Sequence, residues 1–322
     1  MSGGRRRFHA IGLSILGVTL LSRVPMAAAH PGVHHDIDRV SDSIKKDPSR
    51  AQLFIERGVY YRIAGDFSAS LADFDKAEQL EPANLDIAAH RGITFSSMGR
   101  FQDADRELTR FLNSGRVSAA VLAARAEARA KLGQPKAAIA DLSRALSISP
   151  DVELFIERLQ LQESAGQIDQ AAAGLREGIA ASGGAVVLRD RLIELEIRRK
   201  NYDAAIAIID DQLAVTPVRS DWYLRRSEIL DMAAKPSEAG KDRLRALDEA
   251  DRAMSQRPSA IHLMSRARAL ESLGRLDEAK KDLQAALDQA PHLEGAADMV
   301  ARLDKVQTNN GMTSNTEIRG RQ

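Results

Sequence analysis

The sequence predicts an all-α protein built from repeated helix-turn-helix units. The 322-residue chain is 44% hydrophobic but only 4% aromatic, and it is rich in residues that favour helices. A glycine recurs every 34 residues, at Gly65, Gly99 and Gly133, within segments of helical pattern. A small residue, Ser or Ala, follows each of these glycines five positions later. A fixed period of this length indicates a stacked array of short repeats.

The small residues have a packing role. The axes of two antiparallel helices approach closely only where Gly, Ala or Ser replaces a large side chain. The central glycine permits a tight turn between the helices. A proline near the end of a unit, as at Pro82, Pro150 and Pro291, stops the second helix before the next unit begins.

This unit resembles the tetratricopeptide repeat, because its small residues fall at the eighth, twentieth and twenty-seventh positions and its proline near the thirty-second. The resemblance implies a right-handed superhelical solenoid of about seven repeats, with the first helix of each unit lining a concave, partner-binding groove. The array covers residues 51–293, and its units run 51–84, 85–118, 119–152, 152–185, 186–219, 221–258 and 260–293.

The units differ in how well they match the pattern. The first, third and seventh match at nearly every signature position. The second has Phe111 where a small residue is expected, and the fourth has Leu159. In the fifth unit Lys200 replaces the turn glycine, and the sixth is about four residues longer than the others. We therefore expect irregular packing in units four to six.

Residues 1–29 have the features of a cleaved export signal. Arg5 to Arg7 form a basic start, an apolar run extends from Ile11 to Leu21, and three alanines at 27–29 offer a cleavage site. The apolar run is too short to span a bilayer comfortably. We therefore expect a periplasmic or secreted protein of a Gram-negative bacterium, without stable membrane insertion after cleavage.

The segments on either side of the array are each predicted to have a structure of their own. Residues 30–50 form a histidine-containing segment that continues into a capping helix from Asp36 to Lys46. Residues 294–306 are expected to form a C-terminal capping helix, which covers the exposed end of a repeat array. Residues 307–322 are polar and without pattern, which is typical of a disordered tail.

Composition excludes several classes of function. The sequence contains no cysteine, so disulfides, thiolate metal sites and thiol nucleophiles are absent. Without residues 1–29, the chain has 42 basic and 45 acidic residues, and this balance gives no electrostatic footprint for nucleic acid. We find no phosphate-binding glycine loop, serine elbow or zinc-protease motif, and therefore expect a non-enzymatic protein without a cofactor.

The partner-binding candidates lie on the first helices of units five to seven, in the expected groove. Trp222, the single tryptophan of the sequence, is the candidate apolar anchor, because aromatic and arginine residues dominate binding energy at interfaces. The alternative is that Trp222 packs between adjacent units. The full set of candidates is Glu194, Arg198, Trp222, Arg225, Ile229, Met264 and Arg268.

An arginine recurs just before the first small position of the units, and acidic residues recur on the second helices. This pattern predicts a ladder of arginine–carboxylate pairs, and the alternative is an anion-binding track. We favour the pairs, because both residue types recur in the same units. The arginines are Arg57, Arg91, Arg125, Arg158, Arg191 and Arg266, with Arg225 and Arg226 in the sixth unit, and the acids are Asp73, Glu107, Asp141 and Asp282.

Two other functions remain as alternatives to a protein-binding scaffold in the cell envelope. The first is a metal-related exported protein, because His30, His34, His35 and Asp36 form a cluster of donors that suit Zn, Cu or Ni. The second is a structural oligomer, in which the groove binds another copy of the chain.

Calorimetry tests the metal alternative. If the cluster binds Cu, Ni or Zn, the chain beginning at His30 releases heat on titration, and a chain beginning at Ile37 does not, since it lacks all four donors. Equal heats from the two chains remove the metal hypothesis.

Overall fold

The computed structural model describes residues 32–306, and it places them in helices joined by short turns, with no strand among them. The predicted all-α repeat fold is confirmed. The expected signal segment, His30 and the expected tail at 307–322 lie outside the described residues. The helices are α1 Val33–Lys46, α2 Ala51–Ile63, α3 Phe67–Leu80, α4 Asp86–Ser97, α5 Phe101–Asn113, α6 Ala119–Lys131, α7 Pro135–Ile148, α8 Val152–Ser164, α9 Ile168–Ala181, α10 Val186–Arg198, α11 Tyr202–Val215, α12 Ser220–Met232, α13 Pro236–Gln256, α14 Ala260–Ser272 and α15 Leu276–Gln289, and α16 covers residues 296–306.

Helices α2 to α15 form seven consecutive pairs, here called repeats 1 to 7, with α1 before them and α16 after them. Contacts divide the described chain into two larger parts, each of which contains several repeats. From here on, unit 1 is the part up to Ala145, and unit 2 is the part from Leu146. In both parts, helices pack against their neighbours in sequence. The last helix begins at residue 296 rather than 294, because Gly295 adopts a left-handed φ of 78° just before it. The second helix of repeat 6 is 21 residues long, where that of repeat 7 has 14.

Every repeat uses the same turn between its two helices. The first amide after the left-handed turn residue donates to a carbonyl five residues earlier at 2.8–2.9 Å, which closes the end of the first helix. Five repeats place glycine at the left-handed position. Lys200 in repeat 5 and Ala234 in repeat 6 take this position with φ of 59° and 58°. These two residues carry the strain that glycine avoids.

The small residues hold the two helices of a repeat in close contact. A Cβ atom added at Gly58 would lie 2.6 Å from the Phe74 ring, and one at Gly92 would lie 2.6 Å from the Leu108 side chain. The residue five positions after each turn residue is buried in all seven repeats. These residues are Ser70, Ala104, Ala138, Ala171, Ala205, Ala239 and Ala279.

A recurrent ion pair joins the helices of four repeats. Arg57 donates two hydrogen bonds to the carboxylate of Asp73, sixteen residues later, both at 2.7 Å. The same two-point contact, with one bond from Nε and one from Nη2, recurs in repeats 3, 6 and 7, and we call it the arginine clamp. Its other pairs are Arg125–Asp141, Arg226–Asp242 and Arg266–Asp282.

The clamp also extends backwards along the chain. The remaining guanidinium nitrogen reaches the second helix of the preceding repeat, as Arg125 does to the hydroxyl of Thr109 at 3.1 Å. Arg57 bonds to Ser41 of α1 in the same way, and Arg226 bonds to Asp210. Each clamp therefore ties three helices, and its arginine is engaged by carboxylates, which confirms the predicted ladder.

Three repeats depart from the clamp. In repeat 2, Arg91 turns to Asp75 and Glu78 at 2.8 Å, and Glu107 is 3.9 Å away. In repeat 4 the acid is replaced by Gly174, which leaves space for the Arg158 guanidinium. The assignment of Arg191 to the ladder is wrong. Arg191 pairs with Glu194 on its own helix, and Leu192 takes the clamp position of repeat 5.

A bulky residue at a helix contact is expected to destabilise the array. Ala138→Leu inserts a larger side chain where Ala138 is fully buried, and overpacking of this kind costs about 1–3 kcal/mol. Urea unfolding followed by circular dichroism measures the loss. Ala140→Leu, at an exposed site on the same helix, is the matched control. Equal midpoints for both variants contradict this register.

Glycine at a strained turn is expected to stabilise the array. Ala234→Gly removes the left-handed penalty of a residue with a Cβ atom, with an expected gain of about 1 kcal/mol after the entropic cost of glycine. The neighbouring Ala233 has φ of −80°, so Ala233→Gly should lower stability instead. Thermal melting of the two variants checks the sign of each effect.

Candidate partner-binding groove

Unit 2 contains a groove of about 920 Å³ formed mainly by α12, α14 and α16. Leu224 and Met299 supply apolar surface, and one residue of α13 completes the wall. Most of the lining is charged, with both signs equally represented. The four arginines are Arg225, Arg243, Arg268 and Arg302, and the four acids are Asp221, Glu228, Glu271 and Asp298.

Most of these charged side chains form ion pairs with other residues of the protein. Glu271 of α14 pairs with Arg302 of α16 at 2.7 Å, and Asp221 of α12 lies 3.8 Å from Arg268 of α14. Each pair links a first helix to the next one along the array. We call these contacts the inner pairs, and the set also contains Glu163–Arg198 and Asp190–Arg225.

Two groove carboxylates have no such partner. Glu228 and Asp298 make no hydrogen bond or ion pair with any described residue, although both line the groove. Arg243, which faces the same groove, is bound to Asp231. Partial burial raises the pKa of Glu228 above its ordinary value, and the nearby Arg225 and Arg243 offset this only in part. The groove therefore presents two carboxylates that form no ion pair with any described residue, within a lining that has as many arginines as acids.

The structure packs all three predicted apolar candidates against the core, and none of them lines the groove. Ile229 is 1% exposed, so it stabilises the core of repeats 5 and 6 and is not available to a partner. Trp222 is half-buried and packs against the same core, with the Arg225 guanidinium 5.7 Å from its ring. Met264 packs against the core of repeat 7. Trp222 thus holds adjacent repeats together, as in the alternative interpretation.

Two of the predicted charged candidates line the groove, and the other two lie outside it. Arg225 and Arg268 line the groove, and both belong to inner pairs. Glu194 and Arg198 lie exposed on α10, and they pair with Arg191 and Glu163. Neither Glu228 nor Asp298 could be predicted from the sequence, because an isolated carboxylate on a helix carries no signal of its environment. The inner pairs were detectable, since two of them recur at a spacing of 35 residues.

The metal candidates lie mostly on α1. His34 and His35 are exposed and adjacent in sequence, so they point to different sides of the helix. Asp36 accepts a hydrogen bond from Arg39 at 3.4 Å. Among residues 32–306, no group of three or more His, Asp or Glu side chains is arranged to hold a metal ion. The metal hypothesis stays a prediction that depends on His30, outside the described residues.

None of the described helices combines the length and the apolar character that a membrane crossing requires.

Comparison with known proteins supports the fold. A tetratricopeptide repeat family model matches residues 91–153 and 238–294. The C-terminal part of a TPR repeat-containing protein from Cytophaga hutchinsonii is 13% identical, with a TM-score of 0.50, covering 76% of this chain and 99% of that chain. The search of curated proteins gave no match.

Two other solved structures are similar over much of their length. A tetratricopeptide repeat protein from Parabacteroides merdae is 20% identical, with a TM-score of 0.43, covering 79% of this chain and 98% of that chain. YrrB, described as a TPR protein with an unusual peptide-binding site, is 18% identical, with a TM-score of 0.46. The match covers 56% of this chain and 94% of that chain.

Proposed function

Because the chain is a tetratricopeptide repeat protein, we propose that it is a non-enzymatic scaffold of the cell envelope that binds a partner protein in the α12–α14–α16 groove. The observation that carries this proposal is that the arginines of the groove are paired, whereas two of its carboxylates are not paired with any described residue. Its arginines are engaged by carboxylates of the chain, whereas Glu228 and Asp298 have no partner within residues 32–306.

The groove chemistry supports a partner segment that carries a lysine or arginine. A cation placed opposite Glu228 would gain a charge-assisted hydrogen bond without displacing an existing ion pair. An acidic segment would have to compete with the inner pairs for the arginines. The aliphatic stem of a bound lysine or arginine would lie on Leu224 and Met299, while its charged end reaches the carboxylate.

The groove also has the size expected of a binding site. Its volume of about 920 Å³ lies at the upper end of the range for ligand sites, which is about 300–1,000 Å³.

The envelope location rests on the basic and apolar segments within residues 1–29. Cell fractionation tests it. The full chain should appear in the envelope fraction without its first residues, and a chain that begins at His30 should stay in the cytoplasm. A full chain that also stays in the cytoplasm contradicts the proposed location.

Charge reversal at Glu228 tests the groove. We expect Glu228→Lys to reduce capture of the partner from an envelope extract by about tenfold or more, since it replaces an attraction by a repulsion. Glu238→Lys on α13, at an exposed acid that does not line the groove, is the matched control. Quantitative mass spectrometry of proteins retained by the unmodified chain and the two variants gives the measurement.

The outcomes separate the possibilities. Proteins retained by the unmodified chain and by Glu238→Lys, but lost with Glu228→Lys, support the groove. Equal retention by all three chains places the binding surface elsewhere, and no specific retention by any of them contradicts the scaffold function.

Because the pKa of Glu228 is raised, protonation should weaken binding at a higher pH than expected for an ordinary glutamate.

A further inference from the structure

Repeat 5 lacks the arginine clamp at all three of its positions. Leu192 stands where other repeats have the arginine, and Ile208 stands sixteen residues later, where they have the acid. Arg176 stands sixteen residues earlier, where Ser41, Thr109 or Asp210 accepts a hydrogen bond in repeats 1, 3 and 6. The polar contact that ties three helices elsewhere is therefore replaced here by two aliphatic side chains.

An apolar pocket of about 460 Å³ lies where the clamp is missing. It is bounded by the second helices of repeats 4 and 5, α9 and α11, with α10 between them. Aliphatic side chains and alanines form most of its surface, and charged residues stand at its rim. The lining residues are Arg176, Ile179, Ala180, Arg189, Leu192, Ala204, Ala207, Ile208 and Asp211.

The two rim arginines differ in their surroundings. Arg176 donates at 2.5 Å to Glu196, a fully buried carboxylate that Arg199 and Asn201 also contact. Arg189 is partly buried, and within residues 32–306 its polar contact is a 3.0 Å hydrogen bond that it donates to the carbonyl oxygen of Gly184. No carboxylate among the described residues pairs with Arg189, and this includes Asp211, which also lines the pocket, is more exposed than Arg189 and has no ion pair of its own.

The position of Arg189 makes this unpaired charge unusual. It is the fourth residue of α10, where the exposed amides already give the helix a partial positive charge. The first turn of α10 contains no acidic residue. A partly buried cation without a counter-ion is costly, and an incoming carboxylate would relieve that cost.

We propose that this pocket is a second docking site, which takes an aliphatic side chain of a partner protein while a neighbouring Asp or Glu of that partner bonds to Arg189. The apolar wall selects the aliphatic group, and the unpaired guanidinium selects the acid. The pocket is open rather than enclosed, which suits a side chain presented on a protein segment. It lies on other helices than the groove, and its preferred charge is the opposite one.

Methyl NMR detects occupancy of this pocket directly. The protein is labelled at isoleucine δ1 methyls and titrated with three 12-residue Gly/Ser peptides that carry Leu-Asp-Leu, Leu-Lys-Leu or Ala-Asp-Ala at the centre. We expect Leu-Asp-Leu to shift the Ile179 and Ile208 signals, and to bind about tenfold more tightly than either other peptide, because each of them lacks one of the two contacts. The core residue Ile229 should not respond.

Two substitutions that should weaken binding, together with one matched control, separate pocket binding from other effects. Ala207→Trp covers the pocket from an exposed position, and Ala214→Trp places the same side chain outside the pocket on the same helix. Arg189→Gln removes the cation and keeps a polar side chain. Binding of the Leu-Asp-Leu peptide should fall about tenfold with Ala207→Trp and Arg189→Gln, and should be unchanged with Ala214→Trp. Thermal melting confirms that each variant is folded.

A third variant fills the pocket with the residues of the other repeats. Leu192→Arg combined with Ile208→Asp introduces the clamp pair of repeats 1, 3, 6 and 7, and it should abolish the peptide-induced shift of Ile179, the reporter that this variant retains. Glu228→Lys, which alters the groove, should leave these shifts unchanged. Failure of the groove proposal and failure of the pocket proposal are therefore distinguishable.

Several results overturn the proposal. The first is equal binding of the three peptides, and the second is the absence of shifts at Ile179 and Ile208 at millimolar Leu-Asp-Leu peptide. Shifts caused by sodium octanoate but not by the peptide would show that the pocket takes a small amphiphile instead of a protein side chain.

Discussion

The close approach of the two helices in each repeat is the constraint on which the rest of this structure depends. At Gly58 and Gly92 there is no space even for a methyl group, because Phe74 and Leu108 lie against the backbone. This contact fixes which face of each second helix is buried, and so which residues are left to meet the next repeat. The left-handed turn follows from the same constraint, since two helices in such close contact must be joined by a short connection.

Polar contacts are arranged in two sets around this apolar frame. The arginine clamps join first and second helices, and the inner pairs join successive first helices. Buried ion pairs add little net stability, because desolvation offsets much of the attraction, so their main effect is to fix geometry. They also decide which charges remain free for a partner. Among the described residues, the unpaired charges are the carboxylates of Glu228 and Asp298 in the groove, and the guanidinium of Arg189 and the carboxylate of Asp211 at the repeat 5 pocket.

The sequence predicted the repeat pattern well because the turn glycines and the buried small residues recur at fixed spacing. It predicted individual side chains less well. Residue type and approximate position suggest that Arg191 belongs to the ladder, but it lies one residue before the clamp position. A shift of one residue along a helix turns a side chain by about 100°, so Arg191 faces another direction. Ile229 and Trp222 were placed in the groove from a helical face, but the contribution of neighbouring repeats to their burial depends on tertiary packing. Glu228 was missed for the same reason.

The missing clamp of repeat 5 also bears on how the array unfolds. In a repeat protein, stability is the sum of the intrinsic stability of each repeat and the coupling between nearest neighbours. A clamp contributes to that coupling, because its arginine bridges the second helices of two successive repeats. At Leu192 this bridge between second helices is absent, and the polar contacts that join repeats 4 and 5 include Arg176–Glu196 and the inner pair Glu163–Arg198. A ligand that bonds to Arg189 there would act as the absent crosslink, and binding would make neighbouring repeats open and close together.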